Sequence, residues 1–407
     1  MATSIDLDAL ESELKTSMDF EGKKRDAASI AKAYFLERKG RDPTDDEMNE
    51  HFLQKWHSKI AVDLSNRPIS DLYSVNDLEE SFFDLISHAL YSRFKQDSDV
   101  SNSHFSKAKK IANILNNSFI TNQYDYAIKL DSAALKKKLK TDRCYELVNQ
   151  TVANDRNRGI ALIGTGLSLA DSNNDTKRLL DLHAKCQYVL YEIENCPHVA
   201  MSLGKYLLSE SPNYHALAGW THFHNGNIWL DLENPQAAKE EFEGGIEWAI
   251  QAGFPYAQMT LYERLGLACK NLNKLNLAQQ HYEDSLTIGA TEEIKPWLVS
   301  KNEVRCYIGL GLIQYETALN PSGSGQDATS QLAEDYFKRA LEIANQVNYV
   351  ANQAAALSSL GDLQRLKAGD TDPDAKRYHK LAYQIKTETL GLDPTLIKRV
   401  KHDKDHM

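Results

Sequence analysis

The chain has 407 residues, a formal net charge of −10, 42% apolar and 26% charged residues; this suits a folded chain and argues against a surface devoted to nucleic acid. Only 10 Pro and 20 Gly disfavour a turn-rich all-β protein, and no uncharged apolar run approaches the ~18 residues of a membrane span. Its five cysteines, at 144, 186, 196, 269 and 306, form no CxxC pair and are odd in number, which excludes a disulfide scaffold and points to a reducing, cytoplasmic compartment.

The opening MATSIDLDALESELK is acidic and has no apolar stretch, so no secretory leader is expected. Residues 1–66 read as an N-terminal helical region. DLDALESELKTSM, KRDAASIAKAYFLERKG and PTDDEMNEHFLQKWHSKIAVDL each carry apolar residues at helical spacing, and Pro43-Thr44-Asp45-Asp46 forms a helix start. SNRPISDLYS (65–74) reads as a linker.

From 67 to 180 the pattern is again helical, with decayed repeats. NDLEESFFDLISHALYSRF, SKAKKIANILNNSF and DRCYELVNQTV are the predicted helices. The basic runs Lys23-Lys24-Arg25 and Lys136, Lys137, Lys138, Lys140 are expected to be solvated helix faces. In RGIALIGTGLSLAD (158–171), Gly164 and Gly166 match the first two glycine positions of a dinucleotide-binding turn, but Leu169 fills the third. Two small residues at a helix crossing are the expectation instead.

From 181 to 390 the small and large residues recur. Gly226, Trp229, Ala238, Phe242 and Gly245 match Gly266, Cys269, Ala278, Tyr282 and Ser285, each pair 40 residues apart. Leu310-Gly311 goes with Ala333, Phe337 and Ala340, and Leu360-Gly361 with Ala375, His379 and Ala382. Ala184, Tyr188, Tyr191, Ala200, Gly204, Leu207 and Pro212 form a degenerate copy. Closely approaching helices need Gly or Ala where their axes cross, and large residues fill the neighbouring gaps. One hairpin cannot bury its apolar face alone, so the copies must stack. The segment NPSGSGQDATS (320–330) reads as a flexible insertion, and the tail 391–407 as polar and frayed.

These units, at 181–214, 219–252, 259–292, 304–347 and 354–389, resemble the tetratricopeptide repeat, in a version longer than the usual ~34 residues. The resemblance implies an all-α fold: a right-handed α-α solenoid of helical hairpins, preceded by a non-repeat helical N-terminal region. It also implies that the first helix of each hairpin lines a concave groove. Carried onto this chain, the groove-facing residues are Trp220, Phe223, Asn227, Asp231, Glu263, Arg264, Lys270, Asn271, Arg305, Tyr315 and Arg365. Chaperone-binding members hold a peptide carboxylate at set positions. Lys185 and Arg264 match those, but Val189, His224 and Thr260 do not, so a chaperone tail is not expected.

No GxSxG, HExxH or P-loop lysine occurs, so no catalytic residues and no cofactor are predicted. His215, His222 and His224 lie on one predicted helix, but 224 leaves the face shared by the other two and no Cys or acid sits at zinc spacing. No metal site is predicted. The expected function is therefore a non-enzymatic scaffold or adaptor that captures a peptide or protein segment in the groove. Nucleic acid and membrane insertion are not expected, and self-association is left open. The alternative is a peptide-sensing regulator in which residues 1–66 act as effector or contact nucleic acid.

Overall fold

The computed structural model describes residues 74–152, 155–210, 214–292, 294–319, 326–390 and 398–407. The expectations for 1–66, the linker up to 73, Pro212, the first part of the 320–330 insertion and the start of the tail lie outside the described residues. All regular structure among the described residues is helical. In order the helices are α1 (Val75–Phe94), α2 (Ser98–Leu115), α3 (Ser118–Lys129), α4 (Ser132–Thr151), α5 (Arg156–Ser172), α6 (Thr176–Tyr188) and α7 (Pro197–Glu210). Then follow α8 (His215–Asp231), α9 (Pro235–Gln251), α10 (Pro255–Asn271), α11 (Leu275–Thr291) and α12 (Pro296–Leu319). The last are α13 (Gln326–Gln346), α14 (Val350–Ala368), α15 (Pro373–Gln384) and α16 (Lys398–His406). No helix among the described residues is long and apolar enough to cross a membrane.

The chain divides into two compact units. The first runs to His224 and includes Gln251–Gly253; the second comprises Asn225–Ile250 and Phe254–Met407. In the first, α1 packs on α2, α4 on α5, and α6 on both α5 and α7. In the second, α10 with α11, α12 with α13 and α14 with α15 form hairpins, and α11 and α13 contact the next hairpin in turn.

Side-chain caps prevail at the helix starts of the first unit and prolines are more frequent in the second, although Pro197 opens α7 in the first and Asn234 and Asp372 cap α9 and α15 in the second. In the first, Asp97, Asn117, Asp131, Asp155 and Asp175 sit at the caps and accept backbone N–H bonds from residues two or three further on, which satisfies donors a helix cannot pair internally. In the second, Pro235, Pro255, Pro296 and Pro373 open helices, where the missing N–H is no loss and φ is preset. The 40-residue offset reappears at the helix starts, His215 to Pro255 and Pro235 to Leu275. It reappears in the turns as well: Asn273 adopts φ 57° and its counterpart Glu233 φ 56°. Asn tolerates this left-handed conformation better than Glu. Glu233→Asn should therefore raise stability by about 0.5–1 kcal/mol in urea denaturation; an unchanged midpoint would contradict this.

The second unit is held by rings lying on glycines. A Cβ added to Gly226 would fall well inside van der Waals contact of Phe242; one on Gly266 would stand 2.9 Å from Tyr282, and one on Gly311 2.5 Å from Phe337. Tyr282 is pressed from a second side by Gly309 of α12, so a single ring joins two hairpins. Phe242 and Phe337 are fully buried and Tyr282 nearly so. Next to Tyr282, the Ser285 hydroxyl donates to the Met259 carbonyl at 2.7 Å and accepts from Asn302 Nδ2 at 2.7 Å, linking α10, α11 and α12.

Several expectations change. Residues 158–171 form a helix as expected, but of Gly164 and Gly166 only Gly166 lies at a crossing, where a Cβ would stand 2.9 Å from Leu182; a Cβ on Gly164 would meet nothing within 4 Å. Trp229 is half-buried rather than core. The insertion is helical from Gln326 onward, because its DATSQLAEDYF stretch already carries the helical period. The tail is not frayed between Lys398 and His406: α16 packs on α15, with Val400 and Asp403 fully buried. In the degenerate copy, Ala200, Gly204 and Leu207 are buried as expected, while α6 runs into a π-helical turn at Val189–Ile193.

Candidate functional site

Within the second unit, the first helices of the hairpins carry a row of polar side chains bridged from helix to helix. Arg305 on α12 donates from Nε to Glu263 of α10 at 2.9 Å and from Nη1 to the Tyr349 hydroxyl at 3.4 Å. Burial would lower the Arg305 pKa, but Glu263 outweighs it and holds the guanidinium charged. Lys270 of α10 pairs with Glu316 of α12 at 3.2 Å. On α14, Arg365 pairs with Asp370 at 2.8 Å and lies 3.6 Å from Asp362. Burial and Asp362 both push up the pKa of the half-buried Tyr315 hydroxyl, so it stays protonated.

The expected groove residues thus fall into three groups. Glu263 is only 3% exposed and is committed to Arg305; Arg264 is half-buried, 3.5 Å from Glu263. These three shape the face from within. Lys270, Tyr315 and Arg365 are half-buried along the row, with Asn227 half-buried and Asp231 and Asn271 exposed. Trp220 and Phe223 belong to the first unit, where Trp220 is exposed and meets Phe223 edge-on at 5.7 Å. His215 of the same helix is engaged by Glu79 at 2.8 Å.

The first unit holds a charged cluster that sequence reasoning missed. Lys138, expected on a solvated face, is buried, 2.5 Å from Asp142 and 3.0 Å from Asp175. Arg178 reaches Asp142 at 2.8 Å and Asp181 at 3.1 Å, and Lys177 reaches Asp181 at 2.6 Å. The Tyr214 hydroxyl donates to Asp181 at 3.0 Å. Burial alone would raise both aspartates, but Lys138 and Arg178 hold Asp142 below the usual carboxylate range, as Lys177 and Arg178 hold Asp181. Burial, only partly offset by Asp181, lowers Lys177. A cavity of about 220 Å³ opens beside the cluster, lined by Phe83, Gln123, Tyr126, Lys138, Lys177 and Arg178 among others. Three cations against three carboxylates leave no surplus charge to attract an ion, so the arrangement works as a locked polar core. The one available hint was Asp-x-x-Arg at 175–178, a cap followed by an arginine on the same turn.

These features define the class: an all-α protein of tetratricopeptide-like helical hairpins, with large rings seated on glycines. No protein-family model matches the chain, and no characterised protein sequence matches it. Solved structures do. Apo RapI is 13% identical, with 66% of this chain and 94% of that chain covered and a TM-score of 0.47. BtubC (BKLC) from P. vanneervenii is 16% identical over 65% and 95%, with a TM-score of 0.39. A signal transduction ATPase with a tetratricopeptide repeat sensor, from Pyrococcus horikoshii, is 14% identical over 93% of this chain and 52% of that one, at 0.46. The repeat assignment rests on the glycine–ring packing of the second unit. The regulator alternative turns on residues 1–66, outside the described residues.

Proposed function

We propose that the protein is a non-enzymatic adaptor whose second unit captures an extended peptide segment along the first helices α10, α12 and α14. The observation that carries this reading is the bridging of α10 to α12 by Glu263–Arg305 and Lys270–Glu316, with Arg305 also reaching Tyr349 at the start of α14. Side chains already fixed before a ligand arrives lose little freedom on binding. A row of alternating charge with amide and phenol groups suits a polar backbone with mixed-charge side chains.

The test is a random-peptide display selection on the full chain, repeated with Lys270→Glu. The native chain should enrich a related set of peptides, and the variant should bind those peptides at least about 10-fold more weakly with its thermal midpoint unchanged within a few degrees. Equal binding by the variant, or no enrichment by the native chain, would overturn the reading.

A further inference from the structure

The last hairpin departs from its siblings at two positions, and both departures converge on one point. The ring position filled by Phe242, Tyr282 and Phe337 holds His379, and the residue after the crossing glycine, Asn227, Leu267 or Leu312 elsewhere, is Asp362. A third group arrives from α16, where His402 Nε2 lies 2.8 Å from Asp362 Oδ1. His379 is fully buried, and its Nε2 has no hydrogen-bond partner. The nearest carboxylate oxygen, Asp362 Oδ1, is 3.6 Å away. A buried polar atom left so is destabilising unless something else engages it.

We propose that Asp362, His379 and His402 bind a divalent cation of the zinc class, clasping α16 to the final hairpin. One ligand atom from each of the three lies within 4.8 Å of the others. Tetrahedral bonds of ~2.0–2.1 Å set ligand atoms ~3.3 Å apart, so the 2.8 Å and 3.6 Å separations from Asp362 need shifts of a few tenths of an ångström. The two imidazole nitrogens, within 4.8 Å of each other, close on the ion by rotation of the half-buried His402. The histidine is also prepared from behind. Asp403 Oδ1 accepts from His379 Nδ1 at 3.0 Å and from the Ser358 hydroxyl at 2.6 Å, while Asp403 Oδ2 accepts from Lys386 at 2.5 Å. With its proton on Nδ1, the imidazole presents the Nε2 lone pair, the usual arrangement of a metal-bound histidine backed by a carboxylate. Gly361 keeps that nitrogen clear, since a Cβ there would stand 2.6 Å from it. His406 stacks on His402 at 4.5 Å and fixes its plane. Arg365 approaches Asp362 at 3.6 Å but is held by Asp370 at 2.8 Å, so it can remain there. Three protein ligands leave a fourth position for water. Sequence spacing concealed the set because its members, 17 and 23 residues apart, come from three helices.

The experiment uses the full chain, stripped with a chelator and titrated with Zn²⁺ by isothermal titration calorimetry and by thermal midpoint. The native chain should take up one equivalent and melt several degrees higher with metal. His379→Phe restores the ring found in the other hairpins, so it should melt normally without metal yet bind Zn²⁺ at least about 100-fold more weakly. His402→Ala, on a half-buried position of α16, should lose the same affinity and guards against a folding defect in the first variant. Absence of saturable uptake, or uptake kept in both variants, would overturn the site.

Discussion

Gly309→Val should be among the most damaging single changes in the second unit, lowering its stability by about 3 kcal/mol or more in urea denaturation. The added side chain would enter the space of the buried Tyr282 ring, which Gly266 already confines from the other hairpin. The ring cannot retreat without opening one of its two glycine contacts. Tyr282→Ala alone should cost a similar ~3–5 kcal/mol, through the cavity it leaves. The two changes together should cost clearly less than their sum, because the new valine fills part of the space the ring vacates. Additive losses would mean that Tyr282 does not join the two hairpins.

The charged core of the first unit should carry a comparable penalty and an acid dependence. Arg178→Met removes the partner shared by Asp142 and Asp181, and breaking a buried pair in this way typically costs ~3–5 kcal/mol. The pH dependence follows from the direction of the shifts. The folded pKa of Asp142 and of Asp181 is lower than the unfolded value. Their contribution is therefore complete above about pH 4 and is lost as pH falls toward about 2, where Asp142 titrates. A second effect begins earlier. Burial, together with Lys185, holds His224 at about 4, and burial also lowers His183. Below about pH 6.5 the unfolded chain takes up protons that the folded unit refuses, so stability declines from there. His224 packs among Tyr188 and Phe223, so His224→Phe should reduce the stage between pH 6.5 and 4 to the share left by His183 while leaving the lower stage intact. A stability profile that is flat from pH 7 to 3 would contradict both assignments.

The repeat was legible in the sequence because close helix crossings admit few residues. Gly226, Gly266, Gly311 and Gly361 each face the ring that the spacing pairs with them. The second glycine on Tyr282, Gly309, was not legible, since it serves the neighbouring hairpin and breaks the within-unit register. Burial within a row was also hidden: Glu263 and Lys270 occupy equivalent-looking polar positions, yet one is buried against Arg305 and the other half-buried beside Glu316. Lys138 stayed hidden because a lysine run looks solvated, and only the tertiary approach of Asp142 and Asp175 reveals the one that turns inward. The same holds for His402 and Asp403. Their polar, charged surroundings read as a loose tail, while their partners Asp362, His379 and Lys386 lie in elements much earlier in the chain.

The most direct measurement places a photoreactive amino acid at Asn271, on the first helix of a hairpin, or at Gln280, on its second; both positions are exposed. With a peptide recovered from the display selection, cross-linking should occur from 271 and fall to background from 280. Equal yields from the two positions, or capture from 280 alone, would contradict the placement of the peptide along α10, α12 and α14.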